Sequence, residues 1–340
     1  MWFEFENWVF VHMSVILHTP TYYTSPGTQA RVDLVRESLE IAGHKTMLII
    51  GWESFLQSAY HTLGKRLLTQ ETVWKVMGRL ISRPICKQKP KAVILFVDVS
   101  ASAVPYLKEC GINVILSIED LTPEYKNYDF KASEKFYQIL VKYADQADAI
   151  ISPSHTLSSR LEKIGLKAIP VLTGLKPYMS IEEALSRSSN SPIILHAGQL
   201  NTQRQIEVIL NLAGKYRLMV HNFGRLADKL SHPKIEKYRE LTPEKAILVT
   251  KQANIGLVVE YKKTYSLARF YLHESLLQPI IAEGCGPWIE EANYLRIKLH
   301  PLSAIEEIIE NYDQYVRKCA ETQKGLAIPN IHKPLLSLLE

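Results

Sequence analysis

The 340-residue chain has no run of 18 apolar residues, which excludes a membrane-spanning helix. It has no CxxC pair and no Cys/His cluster at zinc spacing. Its four cysteines, Cys86, Cys110, Cys285 and Cys319, lie far apart in sequence, so free thiols in a reducing compartment are expected. No basic segment opens the chain: MWFEFENWVFVH carries Glu4 and Glu6, which argues against a secretory signal, and Met13 is an alternative start because a buried strand begins there. Short repeats and low-complexity tracts are also missing. With 46% hydrophobic and 22% charged residues the composition excludes an intrinsically disordered chain, and the length favours two domains at roughly 150 residues each.

Acidic residues are scarce in one place. The net charge is only +5, from 40 basic and 35 acidic residues. Between Lys65 and Lys91, however, eight Lys/Arg face the single acid Glu71, a local +7 that leaves −2 for the rest of the chain. Lys75, Arg79 and Arg83 recur every four residues, and Val73, Trp74, Val76, Met77, Leu80 and Ile81 supply an apolar face. Such a helix either lies on an anionic membrane surface or packs that face on its own core. Nucleic acid is not expected, because Lys87, Lys89 and Lys91 come without interleaved aromatics.

What is present is a repeated alternation of short apolar runs and helical stretches. Ser14 to Thr19, Lys45 to Ile50, Ala92 to Val97, Asn113 to Ile118, Asp148 to Ser152 and Ala168 to Leu172 are apolar without period-two alternation, as in a parallel sheet covered on both faces. Helices are expected over Thr28 to Ala42, Ser102 to Cys110, Lys131 to Ala147 and Ser154 to Ile164. A polar, Ser-rich stretch bounded by Gly174 and Pro192 reads as a linker with at most one short helix. Beyond it the alternation restarts: PIILHAG, a helix from Thr202 to Gly214, YRLMVHN, a helix from Thr242 capped by that residue, NIGLVVE, a helix from Ser266 to Leu277, PIIAE, RIKLH and a long helix from Ser303. The pattern predicts an α/β protein with two Rossmann-like, doubly wound domains facing a cleft: 1–175, a linker at 176–192, and 193–340, with the last helix returning to the N-terminal domain as an option. Ligands of such sheets bind beyond the carboxyl ends of the strands.

Four segments carry a family resemblance: His18 to Ile50, with Gly43 and His44 before the second strand; ADQADAIISPSHTLSSRLEKIGLKAIPVLTGL; PIILHAGQLNTQRQIEVILNLA; and ANIGLVVEYKKTYSLARFYLHESLLQPIIA. In this order they resemble the GT-B glycosyltransferases, especially the retaining family 4 (glycosyl transferases group 1) that includes sucrose and trehalose-type synthases. The resemblance implies transfer of a hexose from a nucleotide sugar to a lipid-linked or glycan acceptor; the expected free thiols and the basic segment point to the cytoplasm or peripheral attachment to its membrane. It implies no cofactor and no metal, and Asp98-Val99-Ser100 forms no DxD-type pair.

By the same resemblance, Gly27 and Gly198 are the glycines whose backbone approaches the donor diphosphate, and Arg204 and Arg269 stand where the family has phosphate-binding lysines. Plain turns and solvated arginines are the alternatives. Gln199 replaces a family arginine and Gln205 a glycine. Leu272 takes the place of the ribose-contacting glutamate, with Glu274 close in sequence but about 200° away round a helix. Glu260, at a strand end, and Ser266, at the start of a predicted helix, complete the donor-side candidates. On the acceptor side Glu119 and Asp120 replace a His-Asp step, as a base or a sugar holder, with capping by Asp120 as the alternative. The departures leave two other readings open: a nucleotide-sugar epimerase and a non-catalytic GT-B partner subunit.

Overall fold

The computed structural model describes residues 15–20, 26–51, 69–125, 129–187, 191–221, 225–238, 243–261 and 268–340. Ser266, Thr242, Met13, Lys65 and Arg66 lie outside the described residues. The chain divides into two compact units: unit 1 comprises 1–152, 158–170 and 334–340, and unit 2 comprises 153–157 and 171–333.

Unit 1 is built on six parallel strands: β1 (Val15–Thr19), β2 (Thr46–Ile50), β3 (Ala92–Phe96), β4 (Asn113–Ser117), β5 (Ala149–Ser152) and β6 (Ile169–Pro170), in the spatial order β2-β1-β3-β4-β5-β6. β1 and β3 are buried along their whole length, as continuous apolar runs require. Helices α1 (Pro26–Ile41), α2 (Gln70–Gln88), α3 (Val104–Glu109), α4 (Thr122–Tyr125), α5 (Phe130–Ala144) and α6 (His155–Glu162) follow in chain order. Gly27, expected in a loop, is the second residue of α1, because Pro26 already supplies a helical φ at the first position.

Helix α2 buries Val73, Trp74, Met77, Ile81 and Ile85, and the Trp74 ring stands edge-on to Phe136 at 5.5 Å. Its apolar face is therefore part of the core of unit 1, and Trp74 and Met77 are not available to enter a bilayer. Gly78 shows how close the packing is, since a Cβ there would come within 2.0 Å of the Ser102 carbonyl oxygen. The same packing overturns the expectation of free thiols at two positions. Cys86 near the end of α2 and Cys110 just beyond α3 form a disulfide, their Cα atoms 6.0 Å apart although 24 residues separate them. Cys285 and Cys319 are free, the first exposed and the second buried.

Unit 2 holds β7 (Ile193–Ala197), β8 (Arg217–His221), β9 (Ile235–Tyr238), β10 (Ile255–Glu260), β11 (Ile280–Gly284) and β12 (Leu299–His300), all parallel, in the order β12-β11-β10-β7-β8-β9. The order reverses direction between β7 and β10, the switch point at which sheets of this kind bind ligands. Its helices are α7 (Ile181–Leu185), α8 (Gln203–Lys215), α9 (Pro243–Thr250), α10 (Ala268–Ser275), α11 (Pro287–Tyr294), α12 (Ile305–Glu310), α13 (Tyr312–Leu326) and α14 (Lys333–Leu336). The stretch expected as a linker contains α7, closed by a Ser180/Glu183 capping box, and packs Met179 and Ala184 against Leu277, Val316 and Ala320. It is a layer of unit 2. The long helix expected from Ser303 is broken at Asn311, whose side chain donates to the Glu307 carbonyl as the backbone leaves helical geometry.

Candidate functional site

In unit 2 the site residues gather at the reversal of strand order. β7 ends at Ala197, and the next residue, Gly198, has φ +130°, a conformation that side-chain-bearing residues rarely adopt. A Cβ there would lie 2.6 Å from Nε of Arg269, so the missing side chain is what allows the guanidinium to lie against the strand end. Arg269, in the first turn of α10, donates from Nη2 to Glu260 Oε2 at 2.9 Å, and Glu260 ends β10. Its Nη1 is buried and has no hydrogen-bond partner among the described residues. Gly198, Glu260 and Arg269 are thus brought together.

Arg204 lies one strand further along and is mostly exposed. Its Nη2 donates to Glu283 at 3.0 Å, and Tyr261 donates its hydroxyl to the same Glu283 oxygen at 2.6 Å. Gln199 is exposed. Gln205, where the resemblance expects a glycine, is buried. Its Oε1 accepts from the amides of Asn201 and Thr202, closing a capping box with Thr202, while its Nε2 donates to the Val259 carbonyl at 2.7 Å. The start of α8 is therefore tied to β10 by a side chain.

Glu274 stands apart from these residues. Five positions after Arg269 on α10, it is turned about 140° from it. Burial pushes its carboxyl up to about 8; burial first, with Glu274 nearby adding to it, also raises the Cys319 thiol on α13. Leu272, where the resemblance expects a ribose-contacting glutamate, packs against a cluster of Leu195, Ala197, Met219 and Ala253.

Two buried histidines beneath the strand ends were not among the sequence candidates. His196 on β7 and His273 on α10 are fully buried, and both are held neutral: burial first, with the Arg269 charge adding to it, pushes His196 down to about 3 and His273 to about 4. A histidine inside the apolar run PIILHAG was the available signal.

In unit 1 Glu119 follows β4 and is nearly buried. Its Oε1 accepts from Arg31 Nε at 2.8 Å and from the Ser117 hydroxyl at 2.6 Å, while Arg31 Nη2 donates to Ser117 Oγ at 3.3 Å. Arg31, on α1 one turn after Gly27, was not anticipated. Asp120 is half-buried. At the start of α4 the buried Asp98 accepts from the Thr122 amide at 2.8 Å and hydroxyl at 2.9 Å. Among the described residues no group of three or more His, Cys, Asp or Glu is arranged to hold a metal.

No family model matches the chain, and no curated protein matches its sequence. Its backbone does match solved structures. Sucrose-phosphate synthase from Thermosynechococcus elongatus superposes with a TM-score of 0.66 at 12% identity, covering 96% of this chain and 98% of that one. The trehalose 6-phosphate synthase of Burkholderia multivorans gives 0.65 at 9% identity, with 96% of each chain covered. The chain has the GT-B fold. The S. aureus MnaA–UDP complex is similar as well, at a TM-score of 0.59, 13% identity and 95% coverage of both chains. At these identities the likeness is one of GT-B architecture, and the assignment of chemistry rests on the residues above.

Proposed function

We propose that the protein is a retaining hexosyltransferase similar to glycosyltransferase family 4, taking a nucleoside-diphosphate sugar as donor and a glycan or lipid-linked molecule as acceptor. The observation that carries this reading is the Arg269 guanidinium lying against Gly198 at the β7/β10 switch point, with one buried nitrogen that has no partner among the described residues. A diphosphate leaving group develops negative charge as the glycosidic bond breaks, and a fixed cation beside a helix N-terminus stabilises it. Arg269 supplies the fixed cation. Arg204, held by Glu283 and Tyr261, supplies a second that turns toward the phosphates. In unit 1 Glu119, ordered by Arg31 and Ser117, offers a carboxylate to a sugar hydroxyl.

Calorimetry with UDP, GDP and ADP tests the donor site. Arg269→Ala is expected to weaken binding of the best nucleotide about tenfold or more, the loss of one charge-assisted contact. Wild-type affinity in that variant would remove the assignment. Glu119→Gln keeps the size and removes the charge, so a role at the reacting sugar predicts a turnover loss of about 10²-fold. Leu272 favours a second reading, a GT-B subunit that binds a nucleotide and supports an active partner. Release of free sugar from labelled donor without acceptor distinguishes an enzyme from such a subunit, and sugar NMR of the product identifies epimerisation.

The membrane partner is proposed in a narrower form than the sequence suggests. With Trp74 and Met77 in the core, attachment falls to the exposed face of α2, which carries Lys75, Arg79, Arg83 and Lys87 beside Val76 and Leu80. This contact is electrostatic and fits an anionic membrane surface.

A further inference from the structure

We infer that His273 is a positioning residue that fixes Arg269 for the nucleotide diphosphate, through a neutral imidazole locked in one tautomer. The inference deepens the proposed function and rests on Arg269 being a phosphate ligand.

The hydrogen bonds determine the tautomer. Gln278 is buried and its Nε2 faces two backbone carbonyls, Thr250 O at 2.9 Å and Ala253 O at 3.0 Å. A carbonyl only accepts, so this end of the amide is the NH₂ group and the other is the oxygen. That oxygen lies 2.8 Å from Nδ1 of His273. It can only accept, so Nδ1 carries the proton and Nε2 a lone pair. The Gln278 amide also donates its backbone N–H to the His273 carbonyl at 3.0 Å, so residue and ring are held from the same side. His196 follows the same logic: its Nδ1 is 3.2 Å from the Leu257 carbonyl, the residue opposite it in the β7–β10 register, and therefore donates.

The ring is also fixed sterically. Gly256 on β10 has His273 against it, and a Cβ at that position would lie 2.5 Å from the imidazole Cγ. His273 therefore seats α10 directly on the strand backbone. Arg269 is four residues earlier, about 40° round the helix and so on the same face. Whatever sets the depth and rotation of α10 on β10 sets where the guanidinium falls against Gly198. An uncharged ring suits this place, because an imidazolium beside Arg269 would repel it and compete for the incoming phosphates.

The test is a double-mutant cycle on nucleotide affinity, using the tightest-binding of UDP, GDP and ADP. His273→Leu removes the donor to Gln278 and should weaken binding about tenfold, comparable to losing the Arg269 contact. In an Arg269→Ala background the same change should have no further effect on affinity. His273→Asn, which carries an amide N–H near the Nδ1 position, should restore affinity to within a few-fold of wild type. If His273→Leu does not fold, Gly256→Ala provides the same cycle with both polar side chains retained. A merely structural histidine would lower affinity equally in both backgrounds, and that result overturns the inference. Nitrogen NMR of the free protein at pH 7 should show His273 as the Nδ1–H tautomer, and the other tautomer or an imidazolium would also overturn it. If wild-type protein binds none of the three nucleotides, the reading of the site fails and this role with it. Binding by the wild type with additive losses in the cycle removes the role of His273 alone.

Discussion

Each unit has an arginine–carboxylate pair at the carboxyl end of its sheet, and the two pairs differ in what they leave over. In unit 1 the Arg31 side chain is 1% exposed, and Glu119 receives both Arg31 and Ser117 on a single oxygen. In unit 2 Arg269 keeps 24% of its side chain exposed, donates to Glu260 with one nitrogen and, among the described residues, leaves another without a partner. The first pair stands one strand away from the β1/β3 reversal; the second stands on the β7/β10 reversal itself. A fully enclosed pair orders a carboxylate, whereas a half-enclosed one with spare donor capacity is able to exchange partners with an anion.

The comparison is tested most severely by Arg31→Ala. Removing one member of a buried pair leaves an uncompensated carboxylate, and the expected loss is about 3–5 kcal/mol of stability, measured by urea unfolding. Arg269→Ala should cost less, and a loss as large as that of Arg31→Ala would erase the contrast between the two pairs.

A buried carboxyl without any arginine sharpens the point. Glu274 has its pKa pushed up by burial to about 8 from an ordinary 4.5. The folded chain therefore holds a proton that the unfolded chain releases between those values. The stability from this group is full below about pH 4.5, declines as pH rises, and is gone above about 8. Glu274→Gln should flatten that decline, gaining on the order of 3 kcal/mol at pH 8 relative to wild type. His196 and His273 act in the opposite direction. Their folded values near 3 and 4 lie below the ordinary 6.5, so their contribution is present above pH 6.5 and lost as pH falls toward 3 to 4. Chemical denaturation across pH 4–9 separates the two slopes.

Arg269→Ala follows, with a stability loss of about 1–3 kcal/mol from the charge-assisted contact to Glu260 that it removes. Because the site is at the surface of unit 2, the larger signature is in nucleotide affinity. The smallest effect concerns α2. Lys75→Glu, Arg79→Glu and Arg83→Glu together should leave the melting temperature nearly unchanged and abolish pelleting with anionic vesicles at low salt, at about 1 kcal/mol per side chain near the lipid. Wild-type protein that stays in the supernatant with those vesicles would reduce the exposed face to a solvated one.

The strands and the switch-point residues were legible in the sequence for different reasons. Doubly covered strands are apolar throughout, so β1, β3, β4, β7 and β10 announce themselves. Gly198, Glu260 and Arg269 fall where a strand stops or a helix starts. The His273–Gln278–Gly256 arrangement was not legible, because it depends on which residue of β10 lies under which turn of α10. Glu274 was drawn toward the site by its neighbours in sequence and carried away from it by the rotation of a helix. Amphipathicity alone does not say whether Trp74 and Met77 meet protein or lipid; the contact with Phe136, sixty residues later, decides it. Cys86 and Cys110 likewise became partners only through the packing of α2 on α3.

Neither unit is a continuous piece of chain. Unit 1 is made of three segments and unit 2 of two, with junctions at 152/153, 157/158, 170/171 and 333/334. The last segment of unit 1 is fastened by Lys91, whose ammonium donates to the Leu339 carbonyl at 2.9 Å. A single proteolytic nick therefore releases neither unit whole. Expressing residues 1–170 alone omits the strand of chain that Lys91 holds, and a workable dissection must instead graft 334–340 back onto that fragment through a new linker, or rejoin the termini and open the chain elsewhere.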